Sequence, residues 1–396
     1  MKVIPGKRED IRSWMELVNR VSWNFPGLET ETAREAHRQT VLRFMEDGRA
    51  LCVKCSGRVI GVLLLSRKRN MICCLAVAPE YRRRGVGSML LETALEQLDR
   101  SRDITVTTFR AEDDKGRAPR ALYRRFGFCG GALKTEFGYP VQEFCLPSDA
   151  LLSGIHRTND YERQIFGAVR KAFNAHLDRW YSDLRPDQAN NNFFIPTAEL
   201  TAEDIHAAVE EEKKRGLNGL MLRMDTPLSR QLLAQFPFEE EQLHVMALKK
   251  NTCGHWKKND ALEIRDLQTS DISADLLDVS GVPEEYQDLA RRNMELVLET
   301  AETHPEYHWY CGYLDGVHVA NVYALSHGGF VEVDDLWVVE KYRNQYIGTT
   351  MMKHIAETLP GVKYLHADAS RTPKDMYDRM GFSTVETVFD YYLNWD

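Results

Sequence analysis

An internal repeat constrains this chain more than any other feature. Shifting the sequence by 261 positions lays "YRRRGVGS" (81–88) over "YRNQYIGT" (342–349), with Tyr81 on Tyr342, Arg82 on Arg343, Gly87 on Gly348 and Ser88 on Thr349. Leu90, Leu91, Ala94, Leu95 and Leu98 then fall under Met351, Met352, Ile355, Ala356 and Leu359. That spacing is one apolar face of a helix. Upstream, "MICCLAVAPE" lies over "EVDDLWVVEK", each a β-rich run leading into the turn. Further on, "PRALYRRFGF" (119–128) and "PKDMYDRMGF" (373–382) both fit Pro-x-x-x-Tyr-x-Arg-x-Gly-Phe. Agreement at this many ordered positions predicts two copies of one α/β unit, near 1–148 and 251–396.

The intervening residues, 149–250, read as a degenerate or bridging α/β half-unit. "DYERQIFGAVRKAFNAHLDRW" has helical periodicity, and "LTAEDIHAAVEEEKKRG" has a Thr201/Asp204 capping start and a Gly216 stop. "LNGLMLRMD" reads as a strand, and "RPDQANNNFF" (185–194) as an exposed loop. "LLAQFPFEEEQLHVMAL" is faintly like the Gly-Phe segment of the two copies, but Leu233 stands where they have a tyrosine, so no chemistry is expected there.

Composition closes off other classes. At 396 residues, 43% hydrophobic and 28% charged, the chain is ordinary for two or three globular domains. Its longest apolar run, "VIGVLLL", is far short of the roughly 20 residues of a membrane span, and "MKVIPGKRED" lacks a signal-peptide core. A net charge of −8 disfavours nucleic acid and anionic membranes as partners. Cys52-x-x-Cys55 is the only paired spacing among eight cysteines and lies in a strand-like run, so buried thiols in a reducing cytoplasm are expected. His304 and His308 are separated by Pro305, and no metal site is predicted.

The turn Arg82-x-x-Gly85-x-Gly87 carries the first chemical signal. A strand that turns into a helix here presents unpaired N–H groups and the positive end of the helix dipole, and glycines let a bulky anion approach the backbone. Arg82, Arg83 and Arg84 crowd the same positive end, which points to a phosphate ligand; a solvated basic turn is the alternative. No Gly-x-x-x-x-Gly-Lys-Ser/Thr loop is present, and Leu90 replaces the third glycine of a dinucleotide fingerprint.

The segment "LAVAPEYRRRGVGSMLLETAL" resembles the acetyl-CoA motif of the GCN5-related N-acetyltransferases (GNAT superfamily), Arg/Gln-x-x-Gly-x-Gly/Ala, and "ALYRRFGF" resembles that family's later Tyr…Gly-Phe motif. The two copies together resemble a tandem GNAT protein. The resemblance implies that backbone groups of Leu75, Ala76 and Val77 bond the pantetheine arm of acetyl-CoA, the Val77 N–H polarising the thioester carbonyl. It implies that N–H groups of Arg82, Arg83, Arg84, Gly85, Val86, Gly87 and Ser88 cradle the pyrophosphate. The second-copy counterparts are Leu336, Trp337 and Val338, and Arg343, Asn344, Gln345, Ile347, Gly348 and Thr349. There Tyr346 replaces the first glycine, a departure that crowds the phosphates.

Acyl transfer from a thioester to an amine needs a neutral amine, a general base and help for the departing thiolate. A tyrosine stays protonated at neutral pH and suits the last role. Tyr123 and Tyr377 each lie four residues before the glycine of Gly-Phe, on a helix expected to end there; simple packing is the alternative role. Glu332 lies six residues before Val338, the offset at which histone-type members of the resembled family carry a base. Alternation puts Glu332 and Asp334 on the same strand face as Val338, with Asp335 opposite. The alternative for Glu332 is a solvent-facing carboxylate. Copy one has Met71 at that place, and Gly116 and Ser370 stand where the family often has asparagine. "AEDDKGR" (111–117) is an added acidic loop, and Trp14, Trp23 and Phe25 are candidates for lining an acceptor pocket or for the core.

The reading is an acetyl-CoA-dependent N-acetyltransferase acting on a primary amine of a small molecule or a protein. Its alternative has one copy catalytic and the other structural or acyl-CoA-sensing, in the extreme form a CoA binder without catalysis. A tandem-GNAT aminoacyl transferase would need an aminoacyl-tRNA, which the acidic balance disfavours.

Overall fold

The computed structural model describes residues 1–186, 188–267, 284–370 and 373–395. The chain divides into two compact units, Met1–Leu152 and Ser153–Asp396.

Unit 1 is one mixed sheet with flanking helices. Its elements run β1 (Val3–Pro5), α1 (Ile11–Val21), α2 (Glu31–Glu46), β2 (Ala50–Cys55), β3 (Arg58–Ser66), β4 (Met71–Val77), α3 (Val86–Leu95), β5 (Ile104–Phe109), α4 (Asp114–Arg125), β6 (Cys129–Glu136) and β7 (Tyr139–Leu146). The strand order is β1-β2-β3-β4-β5-β7-β6. Ser56 and Gly57 both have positive φ, the conformation of a two-residue hairpin turn joining β2 to β3. Val86, Leu90, Leu91 and Ala94 of α3 are buried in one cluster with Trp14, Leu17 and Val18 of α1 and the apolar residues of β2 and β3. A Cβ on Gly61 would lie 2.6 Å from Val86 Cγ1, so α3 rests directly on the glycine of β3. Trp14 belongs to this core, whereas Trp23 is 61% exposed.

Helix α5 (Asp149–Ile165) leads into unit 2. Then follow β8 (Ala168–Ala172), β9 (Leu177–Ser182), β10 (Phe193–Pro196), α6 (Ala202–Lys214), β11 (Gly219–Met224), α7 (Arg230–Leu233) and β12 (Glu239–Leu248). The second copy supplies β13 (Glu263–Asp266), α8 (Glu284–Thr303), β14 (Tyr307–Leu314), β15 (Val317–His327), β16 (Phe330–Val338), α9 (Ile347–Thr358), β17 (Val362–Asp368), α10 (Pro373–Met380) and β18 (Ser383–Asn394). All its strands form one sheet, β13-β14-β15-β16-β17-β12-β18-β11-β10-β9-β8.

That order shows how the middle segment is used. In unit 1, β5 pairs with β7 and β7 with β6, all antiparallel. In unit 2, β17 pairs with β12 and β12 with β18, so a strand of the middle segment takes the place that β7 holds in unit 1. Reciprocally, β18 lies between β12 and β11. Each half of unit 2 thus inserts one strand into the other, about a local dyad between β12 and β18. The middle segment also has more than half of the repeat. β8, β9 and β10 are antiparallel neighbours and β10 runs parallel to β11 after a helical crossover, as β4 does with β5 and β16 with β17.

Two expectations for this segment need correction. The helical reading of 160–180 holds only to Ile165: Gly167, at φ +72°, turns the chain into β8 and β9. The 185–194 stretch is not all exposed loop: Phe193 and Phe194 are 1% exposed in β10, and Asn192 ties the loop by accepting from Ser182 N–H and donating to the Arg185 and Gln188 carbonyls. Pattern alone cannot separate a buried strand from a short apolar helix.

Candidate active site

Both repeats build the same corner. β4 pairs with β5 only at Met71↔Thr105 and Ile72↔Val106, and β16 with β17 only from Phe330↔Val362 to Glu332↔Tyr364. Beyond those pairs the strands part, leaving Leu75, Ala76 and Val77, and likewise Leu336, Trp337 and Val338, unpaired along one backbone edge. Arg82 Nε donates to the Val77 carbonyl at 3.3 Å and Arg343 Nε to the Val338 carbonyl at 3.2 Å, so the same bond ties each turn to the end of its strand.

The turns themselves alternate in handedness. Arg83 and Gly85 have φ of 59° and 79°, and their counterparts Asn344 and Tyr346 have 63° and 61°. Alternation of this kind aims successive N–H groups into one concavity, an anion-binding shape. The first helical bonds are Met89 N–H to the Gly85 carbonyl and Thr350 N–H to the Tyr346 carbonyl, at 3.0 and 2.9 Å. The N–H groups of Val86, Gly87 and Ser88, and of Ile347, Gly348 and Thr349, therefore belong to the unpaired first turn. Tyr346 keeps the left-handed arch of Gly85 although a side chain there is strained. Tyr346 is 47% exposed, with Lys257 Nζ 3.3 Å from its hydroxyl. Gly87 and Gly348 lie against the strand end: a Cβ would come 3.8 Å from Val77 Cγ2 in one and 3.6 Å from Val338 Cγ2 in the other. Arg84 lies over the Tyr81 ring and Gln345 donates to the Lys341 carbonyl at 3.4 Å. At the start of α6 in the middle segment, Asp204 accepts from Thr201 N–H at 2.9 Å and contacts His176 Nδ1 at 2.9 Å, while Thr201 Oγ1 accepts from Asp204 N–H, a capping box.

Tyr123 and Tyr377 lie on α4 and α10, whose ends are alike: Phe128 N–H bonds the Tyr123 carbonyl at 3.1 Å and Phe382 N–H the Tyr377 carbonyl at 3.0 Å, around Gly127 and Gly381 at positive φ. Both phenols are buried. Burial, with Cys74 nearby, raises that of Tyr123, and burial, with Asp334 nearby, pushes that of Tyr377 up to about 12. The "AEDDKGR" stretch caps α4 instead of forming a free loop: Asp113 accepts from Lys115 N–H and from the Tyr139 hydroxyl, each at 2.9 Å.

One expectation about β16 fails. Asp335 sits at φ 47°, and the β15–β16 register shifts between Asn321 and Tyr323. This bulge resets the alternation. Leu336 and Val338 pack with Val331 and Val333 toward α9, so the Val338 side chain points away from the face of Glu332. Glu332 is 7% exposed, Oε2 has no hydrogen-bond partner, and Oε1 is 3.5 Å from His366 Nδ1. Burial, with the charges of Glu162 and Asp334, holds its carboxyl well above the usual range. Glu162 comes from α5, and no pattern in the sequence marked it. Burial and Asp334 push it up to about 7. Among the described residues, no group of three or more His, Cys, Asp and Glu side chains is placed to hold a metal ion, and no helix is long and apolar enough to cross a membrane.

The sequence pattern of the Acetyltransferase (GNAT) family matches residues 9–128 and 271–382, more than half of the chain. This chain belongs to the GNAT family. Part of the second match, residues 271–283, lies outside the described residues. No curated protein sequence matches the chain. Among solved structures, a functionally unknown conserved protein from Staphylococcus epidermidis is similar at 14% identity, covering 58% of this chain and 96% of its own, with a TM-score of 0.52. A GCN5-related N-acetyltransferase from Kribbella flavida covers 62% of this chain and 94% of its own at 13% identity and a TM-score of 0.40. A tandem GNAT protein from the clavulanic acid biosynthesis pathway covers 99% and 98% at 11% identity and a TM-score of 0.32. The architecture is accordingly a tandem GNAT fold of two mixed α/β sheets, and membership in the GNAT family brings acyl transfer as the general activity.

Proposed function

We propose that this protein is an acetyl-CoA-dependent N-acetyltransferase that moves an acetyl group to a primary amine by direct attack, with the chemistry in unit 2. One observation carries the reading: twice, at equivalent positions, an unpaired strand edge runs into a left-handed turn and a free helix N-terminus, with a buried tyrosine on a following helix of the same unit. The unpaired edge fits an extended amide-bearing arm, and the turn fits a diphosphate. When bound, acetyl-CoA supplies a thioester carbonyl open to attack. The Val338 N–H would hold the carbonyl oxygen. The amine nitrogen forms the new C–N bond as the C–S bond breaks, and the electron pair leaves on sulfur. Tyr377 would give that sulfur a proton, and the carboxylates of Glu332 and Asp334 would take the proton the amine loses. Unit 2 is favoured because β16 carries these carboxylates, whereas the same stretch of β4 reads "MICC". Unit 1 keeps the more open turn and is assigned acyl-CoA binding, with a structural or sensing role.

CoA titration tests the cofactor assignment. Two sites per chain are expected, one lost in Gly87→Glu and the other in Gly348→Glu; no binding at either corner rejects it. Tyr377→Phe should lower kcat at least 10-fold with KM little changed, and Tyr123→Phe should leave kcat in place. The reverse pattern moves the chemistry to unit 1.

A further inference from the structure

The sheet of unit 1 ends in a hairpin whose two strands carry facing thiols. β6 is the edge strand, with β7 as its neighbour, and the chain turns between them at Phe137 and Gly138, both at positive φ. Cys129, the first residue of β6, is the direct register partner of Cys145 on β7, sixteen positions away in the chain. Directly opposed residues of an antiparallel pair have Cα atoms about 4.5–5.5 Å apart and side chains on one face, inside the roughly 4.4–6.8 Å that a disulfide spans. Phe144, one residue before Cys145, is buried in the core, so Cys145 projects from the opposite face of the sheet. On that face Cys145, Cys129 and Thr105, the other register partner of Cys145, are each partly exposed. Both cysteines are thiols in the structure.

The remaining cysteines are not placed in this way. Cys52 and Cys55 lie three apart on one strand, which sets them about 10 Å apart, and Cys73 and Cys74 are successive on β4 and point to opposite faces. The facing pair stands where α4 passes into the sheet. Cys129 follows Phe128, whose N–H bonds the Tyr123 carbonyl, and its Sγ lies 3.9 Å from the Gly127 carbonyl. Just beyond, the β6–β7 register shifts between Gly130 and Leu133, a bulge. A polar relay joins this bulge to α4: Gln142 Nε2 donates to the Gly131 carbonyl at 3.0 Å, and Arg120 Nη1 donates to Gln142 Oε1 at 2.5 Å.

We propose that Cys129 and Cys145 form a redox site, closed to a disulfide by exchange with a small-molecule disulfide such as oxidised glutathione. One cysteine thiolate attacks a sulfur of the oxidant, whose S–S bond breaks and releases one thiolate; the second cysteine then attacks the protein-bound sulfur and releases the other. The protein loses two S–H bonds and gains one S–S bond, and the two protons end on the released thiolates, so the oxidant is reduced to two thiols. Such a pair stays open where thiols are kept reduced and closes as the share of small disulfides rises. Closed, the bond fixes the β6–β7 register on the α4 side of the bulge and pins the end of the Tyr123 helix to the sheet.

The full-length chain, reduced and then incubated with excess oxidised glutathione, tests this. Trypsin cuts after Arg125, Lys134 and Arg157 and so places the two cysteines on separate peptides, 126–134 and 135–157. After an acid quench and alkylation, mass spectrometry without reductant should find these two peptides joined, with two of the eight thiols unalkylated, and dithiothreitol should part them. Oxidation should raise the thermal midpoint of unit 1 by about 5 °C, reversibly. Cys129→Ser and Cys145→Ser should each lose both the link and the rise. Unjoined peptides, a link from either cysteine to a different one, or a link without a rise in the midpoint overturns the proposal. The peptide map of the unsubstituted chain decides the first two of these whether or not either variant folds.

Discussion

Glu162 shows how a residue of no visible importance becomes informative once folded. In the sequence it is one carboxylate among many on a helical stretch. In the fold it is half-buried beside Asp334 and Glu332, and its carboxyl is pushed up to about 7. A group whose folded pKa lies above its unfolded value costs nothing at low pH and destabilises the fold once pH rises through the folded value. Glu162→Gln should therefore match the wild type in urea melts at pH 4.5 and exceed it at pH 8, by on the order of 2 kcal/mol. An equal gap at both pH values would mean that the carboxyl is not held in this environment. Tyr377 differs in kind: its spacing from Gly-Phe was readable, but the burial that raises its phenol was not, because that depends on Phe382 and on Asp334 from another strand.

At the scale of elements, the turns and helix faces were the most legible part. The apolar spacing of α9 is the buried spacing: Met351, Met352, Ile355 and Ala356 are each less than 5% exposed. Chain-local rules act there, since one face must meet the sheet and the glycine must end the helix. The face of β16 was misjudged because a bulge at Asp335 breaks strict alternation, and bulges arise from pairing with a neighbouring strand. The docking of α5 was equally hidden, since Gly154 meets Phe330, 176 residues away in the chain. Gly154→Val should cost about 1–3 kcal/mol by overpacking, seen as a lowered midpoint of unit 2 in thermal melts. An unchanged midpoint would show that α5 does not rest on this contact.

For the whole molecule, the exchange of β12 and β18 decides what can stand alone. Residues 251–396 without β12 would leave β17 and β18 with no strand between them, each presenting bare backbone donors and acceptors. That fragment should give no cooperative unfolding transition, whereas 153–396 should give one; a cooperative melt of 251–396 would show that the exchanged strand is dispensable. The repeat, the two turns and the helix faces were determined by the sequence itself, because each is a matter of spacing along a few dozen residues. The exchanged strands and the docking of α5 against β16 were decided only by tertiary structure. They depend on strand pairings and burial between segments more than 100 residues apart, and a linear pattern carries no record of which distant backbone or carboxylate will be brought alongside.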